Sequence, residues 1–308
     1  MLQLGFHSAI LPDLSLADLF QTASDIGYEC IEVMCWPPGQ AERRYAGVSH
    51  FDTTSTDPKV TAEIRETIDR TGVQISSLGY YPNLLEERGK NASTHADHLR
   101  RLMDLSAELG INKVTTFVGR DHTLSVDDNW PIFLDVWNPL IEYAEKVGVD
   151  VGIENCPMLF TADEWPGGKN LACTPAIWRR MFSDIPSPRF GLNYDPSHFV
   201  FMQMDPVRPL IEFADRLHHV HAKDVRVDPD KLNDVGVLAY PNEYHQPKLP
   251  GLGQVDWSNF FATLTSIGYE GPVCVEVEDR AYEQSDDARR KSLVQCHHYL
   301  RNFIPRSN

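Results

Sequence analysis

The chain has 308 residues, enough for two average domains or one large α/β barrel. Its 28 Lys and Arg against 44 Asp and Glu give a formal net charge of −16, which argues against the clustered cationic footprint of a DNA or RNA binder. Apolar content of 42% with 23% charged residues suits a soluble globular protein, and no stretch reaches the length of a membrane span, so neither nucleic acid nor membrane is expected as a partner.

Short apolar runs recur along the chain, each followed by a segment of helical period. The predicted strands are Leu2–Phe6, Cys30–Met34, Val73–Leu78, Lys113–Val118, Asp150–Glu154, Arg189–Tyr194, Leu217–His221 and Pro272–Glu276. Amphipathic segments lie near 16–26, 58–71, 94–109, 129–147, 175–183, 206–214, 257–267 and 285–302. Five helix-to-strand junctions repeat one device, a glycine followed by an apolar or aromatic residue: Gly27-Tyr28, Gly72-Val73, Gly110-Ile111, Gly148-Val149 and Gly268-Tyr269. A glycine just past a helix end takes the left-handed conformation that closes it. Ser125-x-x-Asp128 reads as a capping box, and Asp256 as the cap of the helix that Trp257 opens.

Eight strands alternating with eight helices predict one (β/α)8 TIM barrel domain over residues 1–308. A doubly wound open sheet shares the alternation, but GFHSAILPD after the first strand has no Gly-rich dinucleotide fingerprint. One insertion departs from the repeat. Residues 224–255 contain Pro229, Pro241, Pro247 and Pro250 and show no clear helical period, so a long functional loop is expected there. Its Tyr240, Tyr244 and His245 are candidates for a lid or for a subunit contact.

The six cysteines form no CxxC pair and read as free thiols of a reducing compartment. The N-terminal MLQLGFHSAI has neither a basic region nor a long apolar one, so no signal peptide is expected and a cytoplasmic location is.

The chemistry gathers at the ends of four predicted strands, which finish in Glu154, Asp195, His221 and Glu276. An isolated acid at a strand end serves as readily to cap a helix, and an isolated histidine to fill a core. Barrel strands, however, all end at one mouth, and three carboxylates meeting there would repel one another without a cation. Three carboxylates and one imidazole suit Mn²⁺ first, with Mg²⁺, Co²⁺ or Zn²⁺ as alternatives. Such an ion would act as a Lewis acid on a bound oxygen. His7 and Trp36, at the ends of the first two strands, are expected to contact substrate, Trp36 by stacking on a ring face. Lys223 and Arg120 could hold a phosphate or hydroxyl, or merely pair with Asp224 and Asp121. PGLGQVDW is either an anion site at a helix start or a turn capped by Asp256.

The motifs IEN, NYDPSH, HVHAKD, PGLGQVDW and VEVED, in that order, with GYYPN and FVGRD, resemble the sugar phosphate isomerase/epimerase family built on a xylose isomerase-like barrel. That family includes tagatose and psicose 3-epimerases, inosose dehydratase and the more distant endonuclease IV. The resemblance implies one divalent ion held by Glu154, Asp195, His221 and Glu276. It implies a sugar or keto-sugar substrate, substrate contact by His198, a homo-oligomer, and acid/base roles in which Glu154 and Glu276 remove and return the proton next to a sugar carbonyl that the ion polarises. Return to the other face would be epimerisation, return to the neighbouring carbon isomerisation, and loss of a β substituent dehydration or lysis. Where tagatose-type epimerases carry a further substrate-binding glutamate, this chain reads CPMLF. The HAKD form is closer to members acting on keto-sugars and keto-glycosides. A nuclease of the endonuclease IV kind would need more strand-end histidines and a cationic track, and this chain has neither. A binding protein that keeps the fold without turnover would have no use for both acid/base glutamates.

Overall fold

The computed structural model describes residues 1–37, 46–55 and 57–305. Each apolar run supplies one short strand. Those of the barrel are β1 (Gln3–His7), β2 (Cys30–Met34), β3 (Gln74–Gly79), β4 (Lys113–Thr116), β5 (Asp150–Glu154), β6 (Phe190–Tyr194) and β7 (Leu217–Ala222). After them come β8 (Asp224–Val227), β9 (His245–Lys248) and β10 (Pro272–Val275). Eight of the ten close into a barrel in the order β1-β10-β7-β6-β5-β4-β3-β2, with every neighbouring pair parallel. This is the xylose isomerase-like (β/α)8 architecture expected, and its parallel strands put all their C-terminal ends at one mouth.

The outer helices form where period and caps coincide. Leu16–Ile26 and Pro58–Thr71 match their predicted bounds, and Ala92–Leu109, Val126–Val147, Pro175–Asp184, Trp257–Ser266 and Asp286–Leu300 fall within three residues of theirs. The segment near 206–214 keeps only the short helix Arg208–Glu212. Ser125 Oγ accepts from Asp128 N at 3.0 Å and donates to Asp128 Oδ2 at 2.7 Å, so Ser125 caps the Val126–Val147 helix without the reciprocal backbone bond of a full capping box, three residues before its apolar period becomes readable. The five junction glycines all have φ between 72° and 98°, the left-handed region that closes a helix. Between helices and sheet lies a core rich in large rings, including fully buried Trp137, Trp178 and Trp257, with Trp137 stacked on Phe190 of β6 at 5.5 Å.

The insertion is more ordered than its sequence indicates. β8 and β9 pair antiparallel from Asp224↔Lys248 to Val227↔His245, and the short helix Pro229–Val235 sits between them. Tyr244 packs with Phe201, Val225 and Val227 in a small apolar cluster, and His245 stacks on Phe201 at 4.2 Å. These two residues are core to the hairpin rather than a lid. The tip reaches across to the segment after β5. Tyr240 Oη and Asn242 Nδ2 donate to Leu159 O at 3.4 and 3.3 Å, and Trp165 Nε1 donates to Leu238 O at 3.0 Å.

Candidate metal centre

Glu154 is the last residue of β5, Asp195 follows β6, His221 lies in the last turn of β7, and Glu276 follows β10. Strands so short leave their final side chains at the mouth. One donor atom from each of the four residues lies within 4.8 Å of the others. His221 Nδ1 is 3.4 Å from Glu276 Oε2 and 3.8 Å from Glu154 Oε1. Asp195 Oδ2 and His221 Nδ1 are both buried and face charged neighbours: Lys223 Nζ and His198 Nε2 lie 3.0 and 3.1 Å from the former, and Glu276 Oε2 lies 3.4 Å from the latter. Three carboxylates and one imidazole converging in a closed interior are a donor set suited to a divalent cation.

The neighbouring sequence explains how each ligand is held. In IEN, Asn155 Oδ1 accepts from Asp195 N at 2.8 Å while its Nδ2 donates to Asp195 O at 2.9 Å, locking the β5 and β6 ends together. Pro196 ends the strand, and a helical turn at Ser197–Phe201 brings His198 back over the aspartate. His198 Nε2 is 3.1 Å from Asp195 Oδ2 and 3.3 Å from Glu154 Oε1. Burial alone would raise the Asp195 carboxyl, but Lys223 and then His198 outweigh it and hold the group well below the usual carboxylate range. Burial likewise opposes ionisation of Glu276, and Lys223 and His221 more than reverse it.

His7, Trp36 and Lys223, expected at the mouth, all line its cavity together with Glu154, Glu276 and Glu278. The cavity's other wall is apolar, with Met34, Phe117 and Phe160. Trp36 stands edge-on to Tyr80, 4.9 Å between centroids. Lys223 does not pair with Asp224. Its ammonium lies 2.7 Å from Glu276 Oε2, 3.0 Å from Asp195 Oδ2, 3.3 Å from Glu278 Oε2 and 3.9 Å from Glu154 Oε1. Burial would favour loss of its proton, but these carboxylates hold the amine pKa well above its ordinary value. Arg120 lies elsewhere. Its guanidinium donates to Gly167 O at 2.5 Å and Leu124 O at 3.2 Å, and Arg120 is not among the cavity-lining residues. Asp121 in turn accepts from Thr123 N and Arg88 N. The PGLGQVDW amides are no anion site either: Gly251, Gln254 and Val255 N all donate to the Asp224 carboxylate.

Two acids at the site escaped the sequence reading. Glu278 is the second acid of VEVED, two residues beyond Glu276 on the same strand-like alternation, and that spacing was a usable signal. Glu32 lies inside the apolar run CIEVM and is fully buried, with Oε2 2.6 Å from His221 Nε2. Burial would raise this carboxyl, but His221 and His219 hold it well below the usual range. A charged residue flanked by Ile31 and Val33 in a buried strand requires a partner.

A parallel eight-stranded barrel with a carboxylate–imidazole cluster at its C-terminal mouth has the architecture of xylose isomerase-like barrels. The chain belongs to the xylose isomerase-like TIM barrel family, whose model matches residues 20–296. Among characterised and uncharacterised relatives, YfiH of Bacillus subtilis (strain 168) is 25% identical over 90% of this chain and 93% of its own. Inosose dehydratase of Clostridium tetani is 24% identical over 77% of this chain and 80% of its own. The fold is shared with D-allulose 3-epimerase from Methylomonas sp. in complex with D-allulose (TM-score 0.66, 17% identity, 98% of this chain and 96% of that one). It is also shared with an IOLI protein carrying a bound zinc atom (TM-score 0.70, 16% identity, 98% of each chain).

Proposed function

We propose that this chain is a divalent-metal-dependent sugar isomerase or epimerase that moves a proton at the carbon next to a sugar carbonyl. The observation that carries this reading is the convergence of Glu154, Asp195, His221 and Glu276, one donor atom of each lying within 4.8 Å of the others. Those four residues would hold the ion, Mn²⁺ being the one best suited to their oxygen-rich set. When bound, a divalent ion supplies Lewis-acid polarisation of the substrate carbonyl.

The remaining work falls to side chains of the chain itself. Glu154 and Glu276 each offer a carboxylate to take or return the α proton, and an enediolate is the product of the first transfer. His198 Nε2, 3.1 Å from Asp195 Oδ2 and 3.3 Å from Glu154 Oε1, would exchange one of these contacts for a substrate hydroxyl. Lys223 and Glu278 line the cavity and can orient a second oxygen, while Trp36 offers an apolar face to the sugar ring. Proton return to the opposite face gives an epimer, and return to the neighbouring carbon gives an isomer.

A second reading shares the first step. Departure of a β substituent after proton removal makes the enzyme a dehydratase acting on a keto-sugar, keto-inositol or keto-glycoside, and the similarity to inosose dehydratase supports it. The test is solvent deuterium uptake at the α carbon with Mn²⁺ present, over a panel of ketohexoses, inososes and keto-glucosides. Exchange with retention of all substituents supports the isomerase or epimerase, and exchange with loss of water supports the dehydratase. Turnover with neither exchange nor elimination refutes both.

A further inference from the structure

The barrel interior beneath the mouth holds a polar network whose every proton can be assigned from one residue. Glu32, Ser77, Thr115, Asn193, His219 and His221 are all fully buried there. A carboxylate can only accept, so each partner of Glu32 must present a hydrogen. Its Oε1 accepts from Tyr81 Oη and Thr115 Oγ1, both at 2.5 Å, and its Oε2 from His221 Nε2 at 2.6 Å.

The remaining directions follow outward. Thr115, having given its proton to Glu32, accepts from Ser77 Oγ at 3.1 Å. Tyr81, likewise spent, accepts from Asn193 Nδ2 at 2.9 Å. This turns Asn193 Oδ1 toward His219 Nδ1 at 2.9 Å, so that nitrogen carries a proton. His219 Nε2 then accepts from Ser76 Oγ at 3.1 Å. All donors run toward Glu32.

We propose that Glu32 is a positioning residue that fixes His221 with a proton on Nε2, which leaves Nδ1, the nitrogen facing Glu154 and Glu276, as the one that would bind an ion. The role as a ligand rests on the metal reading above, whereas the proton position does not. The rival state is built in as well. Asn193 Nδ2 lies 3.0 Å from His221 Nε2 and would donate to it if that nitrogen lost its proton. His221 would then carry its hydrogen on Nδ1, turned at the carboxylates, and could not ligate an ion through that nitrogen. Glu32 thus decides between two arrangements of one ring, as the carboxylate partner of a metal-binding histidine does in general.

Glu32→Gln keeps the shape and removes the charge. In the wild-type protein, ¹⁵N NMR of the histidine rings is expected to show a strongly hydrogen-bonded proton on His221 Nε2. In E32Q that signal is lost and Mn²⁺ affinity, measured by calorimetry, falls about 10- to 100-fold. Tyr81→Phe removes one donor to Oε1 but leaves the Glu32–His221 bond, so the Nε2 proton persists and affinity changes less than in E32Q. A wild-type Nε2 without a proton overturns the inference. So does E32Q that keeps both the proton and Mn²⁺ affinity within twofold, or Y81F that loses as much as E32Q. Wild-type protein that takes up no divalent ion refutes the metal reading, while the proton signal still decides the role of Glu32.

Discussion

Two buried aspartates a few ångströms from the mouth show how the same residue type serves fold and chemistry. Both Asp195 and Asp224 are fully buried. Asp224 is saturated. Its Oδ1 accepts from Val225, Gln254 and Val255 N at 2.8 to 3.0 Å, and its Oδ2 from Gly251 N and Trp257 Nε1 at 3.0 and 2.9 Å. Asp195 has one satisfied oxygen, Oδ1, which accepts from Ser197 N at 2.8 Å. Its other oxygen is held by side-chain charges instead, 3.0 Å from Lys223 Nζ and 3.1 Å from His198 Nε2. A buried charge that backbone amides neutralise holds a loop in shape. A buried charge balanced by side chains that line the mouth can be shared with something that is not protein.

The comparison can be tested at several strengths. The largest effect expected is on turnover: chelation of divalent ions abolishes it, and Mn²⁺ restores it, with circular dichroism unchanged throughout. Glu154→Gln and Glu276→Gln come next, each lowering kcat by about 10²- to 10⁴-fold, the usual share of a positioned acid or base. Undiminished rates in both variants would remove the assigned roles. Asp224→Asn acts on the other side of the comparison. Its amide would face two of the five donors, so stability in urea should fall by about 2–4 kcal/mol with metal stoichiometry unchanged. If D224N instead kept its stability and lost metal, the contrast between the two aspartates would be wrong. Gly253→Ala sets a Cβ against the Asp224 carboxylate and Val225 O, for a loss of about 1–3 kcal/mol. The smallest change, Asp256→Ala, removes the bond that caps Trp257–Ser266 from Asn259 N and costs about 1 kcal/mol.

The convergence of Glu154, Asp195, His221 and Glu276 was legible because strand ends are sequence positions, and in a parallel barrel a strand end is also a place in space. Helix limits were legible wherever a cap or glycine marked them, as at Ser125 and Gly148. Glu32 was not, because an apolar run such as CIEVM does not say which side chains face the barrel axis, and its partner His221 is 189 residues away. The β8–β9 pairing was hidden for another reason: each strand has four residues, and HQPK carries a proline and no apolar alternation. Arg120 misled through its place after a strand, since a long side chain can turn back to nearby carbonyls. The split between Lys223 and Asp224 was readable in principle, because neighbours in extended chain point to opposite sides.

The arch formed by residues 228–244 springs from the β8–β9 ladder, and its tip meets the segment after β5 at Leu159 and Trp165. Phe160, next to the first of these, forms part of the cavity wall, whereas Glu154, Asp195, His221 and Glu276 all lie outside the arch. The support of that wall and the acidic cluster are thereby inherited on separate pieces of sequence. An exchanged arch, grafted between Val227 and His245, would shift what braces Phe160 and leave the four converging side chains where they are.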